Sequence, residues 1–350
     1  MKNILVTGGA GFIGSHTCLA LLEKGFNVFI IDSFENSSER VIKRILEAYK
    51  SNKNNLNINM KVFKGNLCDK YFIKEVFNRI KNENKEIHGV IHFAGFKAVA
   101  ESFVEPLYYW QNNVVGTINL LEIMNEFNCN NLVFSSSATV YETKDNCLLN
   151  ESSKFGPINP YGNTKYSIEM LLKDLFQSSA KKWKLASLRY FNPIGAHSSG
   201  LLGEDPKDTP NNIFPLIANT ALGTQKILKI YGNDWPTKDG TPVRDYIHVM
   251  DLAECHLKVL KFLINSEPEI LYLNVGTGIG TSVLDLVKTF EKVNNVKIPF
   301  VFEKRRIGDG SFLVADNSLL ISKMNINYFR SIEDMCRDGW KWKQLNPKGY

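Results

Sequence analysis

The chain opens with Asn3-Ile4-Leu5-Val6-Thr7-Gly8-Gly9-Ala10-Gly11-Phe12-Ile13-Gly14, a short apolar run that leads into a turn rich in glycine. The glycines fit G-x-G-x-x-G and also the wider G-x-x-G-x-x-G. Such glycines let the backbone turn tightly and approach a pyrophosphate, which then lies at the N-terminus of the next helix. Asp32 ends the second apolar run, where an acid accepts a hydrogen bond from the adenosine ribose and repels a 2′-phosphate. The stretch predicts a strand, turn and helix that bind NAD in preference to NADP.

Short β-branched or aromatic runs alternate with longer amphipathic segments over the first half of the chain. The runs are almost wholly apolar, as strands buried on both faces are, and each gap can hold a crossover helix. They lie at Asn3–Thr7, Asn27–Asp32, Lys61–Asn66, Gly89–Ala94, Asn131–Ser136 and Lys184–Tyr190. Helices are expected at Phe12–Lys24, Glu39–Lys50, Lys70–Arg79, Pro106–Phe127 and Tyr161–Ser178. This alternation predicts an α/β fold with a Rossmann-type, doubly wound parallel sheet.

The chain length of 350 residues fits about two domains of ordinary size. Beyond about residue 193 the pattern loosens into loops, short strands and helices, which are expected at Asp251–Phe262, Ser282–Val293 and Ser331–Trp342. We therefore expect a Rossmann domain over residues 1–192. Residues 193–350 should form a smaller mixed α/β lobe for the substrate, with a strand or helix exchanged between the two.

Composition and charge exclude several classes of protein. The net charge is +6, and Lys and Arg are interspersed with Asp and Glu, so the clustered basic face of a nucleic-acid-binding protein is not expected. The six cysteines form no C-x-x-C pair, and no metal site is predicted. The N-terminus contains no signal-peptide core, and no apolar stretch approaches 18 residues. These features predict a cytoplasmic protein without a membrane partner.

A second motif whose residues could take part in catalysis is Tyr161-Gly162-Asn163-Thr164-Lys165. A spacing of four places the phenol and the ammonium on one face of a helix. A phenol with a pKa of about 10 is a poor base near neutrality. The fixed positive charge of Lys165, assisted by an oxidised nicotinamide, would stabilise the phenolate of Tyr161 and make it a base. Tyr49 and Lys53 have the same spacing, but they lead into an Asn-rich loop, and we assign that match to chance.

Hydroxyl groups follow the fifth predicted strand in Ser135-Ser136-Ser137-Ala138-Thr139-Val140-Tyr141. The carboxyl ends of strands are where open α/β sheets bind their ligands. Ser137 is expected to hydrogen-bond the same substrate oxygen as Tyr161. We expect Ser135 and Ser136 to satisfy loop backbone instead.

The glycine turn, SSSATVY and YGNTK together resemble the extended short-chain dehydrogenase/reductase family, and within it the UDP-sugar 4-epimerases. VIHFAGFKAV (residues 90–99), LRYFNPIGAH (188–197) and GTPVRDYIHVMDL (240–252) extend the resemblance over nearly the whole chain. It implies a homodimeric enzyme that interconverts UDP-galactose and UDP-glucose with tightly bound NAD. The helices Pro106–Phe127 and Tyr161–Ser178 would form the dimer interface.

The resemblance also implies residue roles. The catalytic residues would be Tyr161, Lys165 and Ser137. The residues around NAD would be Gly8, Gly11, Phe12, Ile13, Gly14, Asp32, Asn36, Ser37, Asn66, Leu67, Phe93, Ala94, Gly95, Lys97, Asn112, Tyr161, Lys165, Tyr190 and Phe191. The residues around the UDP-sugar would be Ser137, Ala138, Thr139, Tyr161, Asn192, Asn212, Tyr231, Arg244, Arg306 and Asp309.

Three positions depart from the family pattern. Asn66 replaces an Asp that holds the adenine amino group in many relatives, and Glu142 replaces a Gly after Tyr141. Leu313 is intermediate between the bulky and the small residues that set tolerance for N-acetylated sugars, and tolerance therefore stays open.

The sequence is compatible with two alternative functions. The first is another nucleotide-sugar enzyme of the same family, a 4,6-dehydratase or a decarboxylase. A dehydratase typically carries an Asp-Glu pair where this chain has Ala138 and Thr139. The second is an NAD-sensing scaffold without chemistry, which would have no need of Ser137, Tyr161 and Lys165 together.

Overall fold

A seven-stranded sheet forms the centre of the first of two structural units. The computed structural model describes residues 1–52, 59–142, 147–178, 182–207, 210, 212–306, 309–326 and 329–350. In spatial order the strands are β10 (Ile270–Val275), β6 (Lys184–Tyr190), β5 (Asn131–Ser137), β4 (Ile87–His92), β1 (Asn3–Thr7), β2 (Asn27–Asp32) and β3 (Met60–Lys64). β1 pairs in parallel with both β2 and β4. The chain winds outward in opposite directions from β1. The carboxyl ends of β1 and β4 therefore form a topological switch point, which is where sheets of this kind bind ligands. The predicted fold class is confirmed.

Helices link these parallel strands. They are α1 (Phe12–Glu23), α2 (Arg40–Asn52), α3 (Lys70–Asn82), α4 (Val99–Val104), α5 (Pro106–Tyr109), α6 (Gly116–Glu126), α7 (Pro160–Ser178) and α9 (Val249–Asn265). A π-helical segment, Trp110–Val115, joins α5 to α6. One core cluster contains Leu5, Val90, Phe134 and Trp183, all nearly inaccessible to solvent. Burial of such apolar surface is the main force that holds the helices on the sheet.

Predicted and observed elements differ mainly at their ends. β1, β2 and β6 have the predicted bounds, whereas β4 begins and ends two residues before the predicted run Gly89–Ala94. The predicted helix Pro106–Phe127 is interrupted by the π segment. β10, the seventh strand of the sheet, was not predicted, because it follows residue 193, where the alternation had already loosened.

The second unit contains short strands in two small sheets. β9 (Val243–His248) pairs in parallel with β7 (Asn192–Ile194) and β13 (Phe312–Leu313), and antiparallel with β11 (Gly280–Ser282). β8 (Leu228–Tyr231) pairs in parallel with β12 (Phe300–Glu303). The helices are α8 (Ile213–Leu222), α10 (Val283–Asn294), α11 (Ser318–Met324) and α12 (Ile332–Leu345). The Phe290 ring contacts the rings of Phe214 and Trp340 edge to face and forms the centre of this unit's core.

The two units are discontinuous in sequence. The first comprises residues 1–140, 157–189 and 253–273, and the second comprises residues 141–156, 190–252 and 274–350. The expected functional division at residues 192 and 193 stays a prediction. Within the described residues, none of the helices combines the length and the apolar character needed to cross a lipid bilayer.

Candidate active site

The glycine turn between β1 and α1 is shaped by close backbone contacts. Gly8 has a φ of +69°, and a Cβ at this position would lie 2.7 Å from the Ala94 nitrogen. A Cβ at Gly14 would lie 2.2 Å from the Gly8 oxygen. Around Gly11 the nearest atom to an added Cβ is that same oxygen, at 3.3 Å, so one side of Gly11 stays open. Gly8 and Gly14 thus close the turn, while Gly11 leaves room for a ligand.

The N-terminus of α1 fits a phosphate. Phe12 and Ile13 form its first turn, and no side chain caps it. In α3, by contrast, the Asp69 carboxylate accepts a hydrogen bond from the Phe72 N–H. Uncapped N–H groups and the helix dipole attract an anion, so a pyrophosphate fits beside Gly11.

Asp32 ends β2 and is buried beside the glycine turn. Its Oδ2 accepts a hydrogen bond from the Ala10 N–H at 2.8 Å. Its Oδ1 accepts from the Phe34 N–H and from the Ser37 hydroxyl, each at 2.9 Å. A carboxylate offers about four acceptor positions. Asp32 therefore holds the turn and its own loop in place and retains capacity for one further donor, such as a ribose hydroxyl.

The remaining predicted cofactor residues of the first unit follow the carboxyl ends of β2, β3 and β4 or lie in the π segment. Exposed Asn36 follows β2, and Asn66 and Leu67 follow β3. Asn66 is one of the positions that depart from the family pattern. Its Oδ1 accepts a hydrogen bond from the Cys68 N–H at 2.9 Å and so takes part in the structure of its own loop. Phe93, Ala94, Gly95 and exposed Lys97 follow β4, while the Asn112 amide donates to Asn113.

The catalytic candidates lie together at the carboxyl end of β5. The Lys165 Nζ donates to the Ser135 carbonyl at 2.7 Å and lies 5.8 Å from the centre of the Tyr161 ring. A Cβ at Gly95 would lie 3.8 Å from the same Nζ, which places the predicted cofactor wall beside this group. The Ser137 Oγ accepts hydrogen bonds from the N–H and the hydroxyl of Thr139. With its acceptor positions taken, Ser137 has its own proton left for Tyr161, with which it is hydrogen-bonded.

Burial acts against ionisation of the Tyr161 and Lys165 side chains. It raises the pKa of Tyr161 to about 12, and the hydrogen bond with Ser137 acts in the opposite direction. Burial also lowers the pKa of Lys165 to about 7. A phenolate at Tyr161 would therefore need positive charge close by, and Lys165 is placed to supply it when protonated.

Four predicted substrate residues of the second unit form one group. The guanidinium of Arg306 lies 4.0 Å from the centre of the Tyr231 ring. The Asp309 N–H donates to the Arg306 carbonyl at 3.3 Å, and the Asp309 carboxylate lies 3.8 Å from Arg244. Guanidinium groups suit a diphosphate, and a carboxylate suits ribose hydroxyls. This arrangement fits a nucleoside diphosphate.

The other predicted residues of this unit are Asn212, Asn192, Tyr190 and Phe191. The Asn212 amide donates to Glu204 at 2.9 Å. Asn192 pairs with Tyr246 in the β7–β9 register, and its buried Oδ1 has no hydrogen-bond partner among the described residues. Buried acceptors are normally satisfied, so this oxygen is suited to a ligand donor. Tyr190 and Phe191 are buried at the end of β6 and directly after it.

The Glu142 departure is accommodated locally. The φ angle of Glu142 is not positive, so its backbone conformation does not require glycine. Its carboxylate pairs with Lys154 at 2.9 Å, and its N–H donates to the Lys154 carbonyl. The substitution therefore leaves the local turn intact.

Sequence reasoning missed Asn113 and misassigned Ser136. The Asn113 side chain accepts from the Phe96 N–H and donates to Thr164, the neighbour of Lys165. In the sequence nothing distinguishes Asn113 from its neighbour Asn112, because the two side chains are the same. The role of Asn113 becomes visible only in the structure, where both residues lie in the π segment. The expectation that Ser136 serves loop backbone is wrong, because its hydroxyl donates to the Glu169 carboxylate.

Comparison with known proteins places this geometry in a family. A family profile described as GDP-mannose 4,6 dehydratase matches residues 5–339. UDP-glucose 4-epimerase 2 of Arabidopsis thaliana is 45 % identical over 349 residues, covering 100 % of this chain and 97 % of its own. UDP-glucose 4-epimerase of Bacillus subtilis is 44 % identical, with coverage of 99 % and 98 %.

Solved structures agree with these relatives. UDP-glucose-4-epimerase from Stenotrophomonas maltophila, with bound NAD and formylated UDP-arabinopyranose, is 40 % identical with a TM-score of 0.93, covering 99 % of both chains. The enzyme from Bifidobacterium longum, in complex with NAD+ and UDP, is 40 % identical with a TM-score of 0.91 and full coverage of both chains. The chain belongs to the UDP-glucose 4-epimerase family of the extended short-chain dehydrogenases/reductases.

Proposed function

We propose that this protein interconverts UDP-galactose and UDP-glucose and holds NAD as a bound cofactor. The observation that carries the proposal is the group of Ser137, Tyr161 and Lys165 at the end of β5, beside the wall that Gly95 forms. Its relatives with 44–46 % identity over the full chain carry the name UDP-glucose 4-epimerase.

The first unit would hold the cofactor. Gly11 and the N-terminus of α1 bind its pyrophosphate, and Asp32 accepts from its adenosine ribose. When bound, NAD supplies a reversible hydride acceptor for C4 of the sugar. Further contacts of this unit would come from Gly8, Phe12, Ile13, Gly14, Asn36, Ser37, Asn66, Leu67, Phe93, Ala94, Gly95, Lys97, Asn112, Tyr161 and Lys165. The resemblance adds Tyr190 and Phe191 to the cofactor residues.

Tyr161 and Ser137 would move the proton of the reaction. The Tyr161 phenolate accepts the proton of the sugar C4 hydroxyl, while the Ser137 hydroxyl turns its proton from Tyr161 to the same sugar oxygen. The Lys165 ammonium stabilises the phenolate before the transfer. Tyr161 returns the proton when the 4-keto sugar is reduced, so the net reaction consumes neither proton nor cofactor.

The second unit would hold the nucleotide rather than the sugar. Arg244 and Arg306 bind the diphosphate, and Asp309 accepts from ribose hydroxyls. Tyr231, Asn192 and Asn212 complete the contacts of this unit with the UDP-sugar. The resemblance adds Ala138 and Thr139 to the substrate residues. Because binding is concentrated on UDP, the keto sugar can turn and present its other face, which inverts C4.

A product assay tests this function. Purified protein is given UDP-galactose without free NAD, and the nucleotide sugars are separated and identified. We expect UDP-glucose at equilibrium with the substrate. A dehydrated or decarboxylated product without UDP-glucose would overturn the proposal. Binding of NAD without any conversion would instead favour the sensing scaffold.

The description of the matching family profile makes a 4,6-dehydratase the second candidate. Water elimination needs an acid and a base beside the sugar. Ala138 and Thr139, which follow Ser137, supply neither. The same product assay separates the two functions.

We also propose a cytoplasmic homodimer. Leu107, Trp110, Ile118 and Met170 expose large apolar side chains on α5, the π segment, α6 and α7. A surface groove of about 580 Å³ lies along the first of these helices and the π segment. Clustered apolar surface is typical of subunit interfaces. Light scattering should give twice the chain mass of 39.7 kDa, and a monomeric mass would contradict the dimer.

A further inference from the structure

A buried ion pair lies beneath the catalytic helix. Glu169 follows Lys165 by one turn of α7 and Tyr161 by two, so all three occupy one face. The Arg189 Nε donates to the two Glu169 carboxylate oxygens at 2.9 and 3.1 Å, and a terminal nitrogen donates at 2.6 Å. Among ion pairs of the described residues, it alone has both side chains no more than 3 % exposed.

The pair joins α7 to three strands of the sheet. The Ser136 hydroxyl on β5 donates to Glu169 at 2.5 Å. Arg189 lies on β6, and its guanidinium lies 4.9 Å from the centre of the Tyr272 ring on β10. Glu169 thus has partners on two adjacent strands, and its counterion is covered by a third.

Three consecutive serines of β5 hold three residues of the α7 face. The Ser135 carbonyl accepts from Lys165, the Ser136 hydroxyl donates to Glu169, and Ser137 is hydrogen-bonded with Tyr161. A slip or rotation of α7 would break all three links at once. Lys165 and Tyr161 each make one hydrogen bond to these serines. Glu169 also accepts hydrogen bonds from the guanidinium of Arg189, which fix both the orientation and the position of its carboxylate.

Stability alone does not account for such a pair. Desolvation of two charges costs several kcal/mol, and well-packed apolar residues often give equal or greater stability. What an ion pair with several directed hydrogen bonds provides is a fixed geometry. The fixed element here is the helix that carries the proposed base.

We propose that Ser136, Glu169 and Arg189 are positioning residues that set the register of α7 against β5, and so keep the Lys165 ammonium and the Tyr161 phenol in their working arrangement. The inference rests on the proposed function for its consequence in catalysis. None of the three residues needs to touch the substrate or cofactor.

The variant Glu169→Gln tests this role. It keeps the side-chain volume and an acceptor for Ser136 but removes the charge opposite Arg189. Loss of register moves the Lys165 ammonium away from Tyr161, which raises the pKa of the phenol. We expect kcat for UDP-galactose to fall about tenfold at neutral pH for a shift of about one pH unit, with KM changed less than about twofold. The pKa read from the pH profile of kcat should rise by the same amount.

Other titratable groups do not explain such a shift. His92 on β4 and Tyr109 on α5 face Lys165 and Tyr161 from neighbouring elements. Burial lowers the pKa of His92 to about 3 and raises the pKa of Tyr109 above its usual range. Both therefore stay neutral across the assay. Tyr272 faces the ion pair itself, and burial raises its pKa to about 12.

Asp251→Asn is the matched control, because it also removes the acid of an ion pair, with Arg330, in which the acid is buried. It should lower thermal stability without moving the pH profile. An unchanged profile and kcat in folded Glu169→Gln would overturn the proposal.

If that variant does not fold, Ser136→Ala provides a milder test, because it removes one hydrogen bond only. A twofold to threefold fall in kcat with a raised profile then supports the role, and wild-type values overturn it.

A measurement without turnover separates this inference from the proposed function. The tyrosinate absorbance of the NAD-loaded protein is titrated with pH, and a Tyr161→Phe background is subtracted. A raised Tyr161 pKa in Glu169→Gln supports the positioning role even if wild type converts no UDP-galactose. An unchanged pKa in a folded variant overturns it, whatever the activity of the wild type.

Discussion

The two groups of candidate residues differ in how much of their arrangement the folded chain completes by itself. In the first unit Ser137, Tyr161 and Lys165 are at most 9 % exposed. Ser137 is hydrogen-bonded with Tyr161, and Lys165 donates to the Ser135 carbonyl. In the second unit Arg306 and Asp309 are exposed, and the Arg244–Asp309 pair is 3.8 Å apart. The first group is buried and held by hydrogen bonds within the protein, whereas the second presents exposed side chains toward solvent.

This difference matches two different demands. Proton transfer needs groups fixed to within fractions of an ångström, and burial supplies both the fixation and the strong electrostatics. A nucleotide handle needs affinity, and side chains at the surface can supply it through contacts made on binding. Substitutions in the first group should therefore change kcat, and those in the second should change KM.

The largest effect should come from Tyr161→Phe. Removal of the phenolic oxygen removes the base, and we expect kcat to fall by about 10²- to 10⁴-fold with little change in bound NAD. Initial rates with UDP-galactose and the cofactor absorbance of the purified protein measure both. Tyr49→Phe, at the second Tyr-x-x-x-Lys match, is the control and should keep the wild-type rate. Unchanged conversion by Tyr161→Phe would show that another group is the base.

Lys165→Met should have the next largest effect. The variant keeps a buried chain of similar length but loses the ammonium, so the phenolate of Tyr161 is less stable and its pKa rises. We expect kcat to fall about 10- to 100-fold at neutral pH and to recover partly as the pH increases, because the phenol then ionises without help. A fall of equal size at every pH would contradict an electrostatic role for Lys165.

Arg306→Ala should affect binding instead of turnover. The loss of a charge-assisted contact to the diphosphate is expected to raise KM about tenfold, while kcat stays within about twofold. Arg305 provides a close control, because its guanidinium lies 4.0 Å from the Trp235 ring just as that of Arg306 lies over Tyr231. Arg305→Ala should keep the wild-type KM. Equal effects of the two variants would point to general surface charge.

Asp309→Asn should have the smallest effect. A partly exposed ion pair with its charged atoms 3.8 Å apart contributes about 1 kcal/mol or less, and the amide still accepts from a ribose hydroxyl. We expect KM to rise about twofold, as measured by initial rates across UDP-galactose concentrations. A loss of kcat instead would remove the contrast between the two groups.

The sequence predicted what depends on short-range pattern. Asn3–Thr7 and the glycines after it fixed the first strand and turn, and buried apolar runs located β1, β2 and β6 to the residue. Tyr161 and Lys165 could be placed on one face because a helix repeats every 3.6 residues. Each of these inferences uses residues that are close together in the chain.

What escaped prediction depends on contacts between distant segments. Glu169 meets Arg189 across 20 residues, and neither position stands out in the sequence. Asn113 reaches Thr164 through a π segment, which composition does not reveal. The seventh strand joins the sheet from beyond residue 250, where no alternation indicates it. Side-chain partners of this kind are set by the tertiary fold.

The hydrogen bond from the Ala10 N–H to Asp32 couples coenzyme preference to architecture. A redesign toward NADP would begin by replacing this acid with a small or basic residue. That same change would release the glycine turn and the Ser37 hydroxyl from their acceptor. A successful redesign would thus need a compensating acceptor elsewhere, and single replacements at this position should yield poorly loaded protein rather than a switched enzyme.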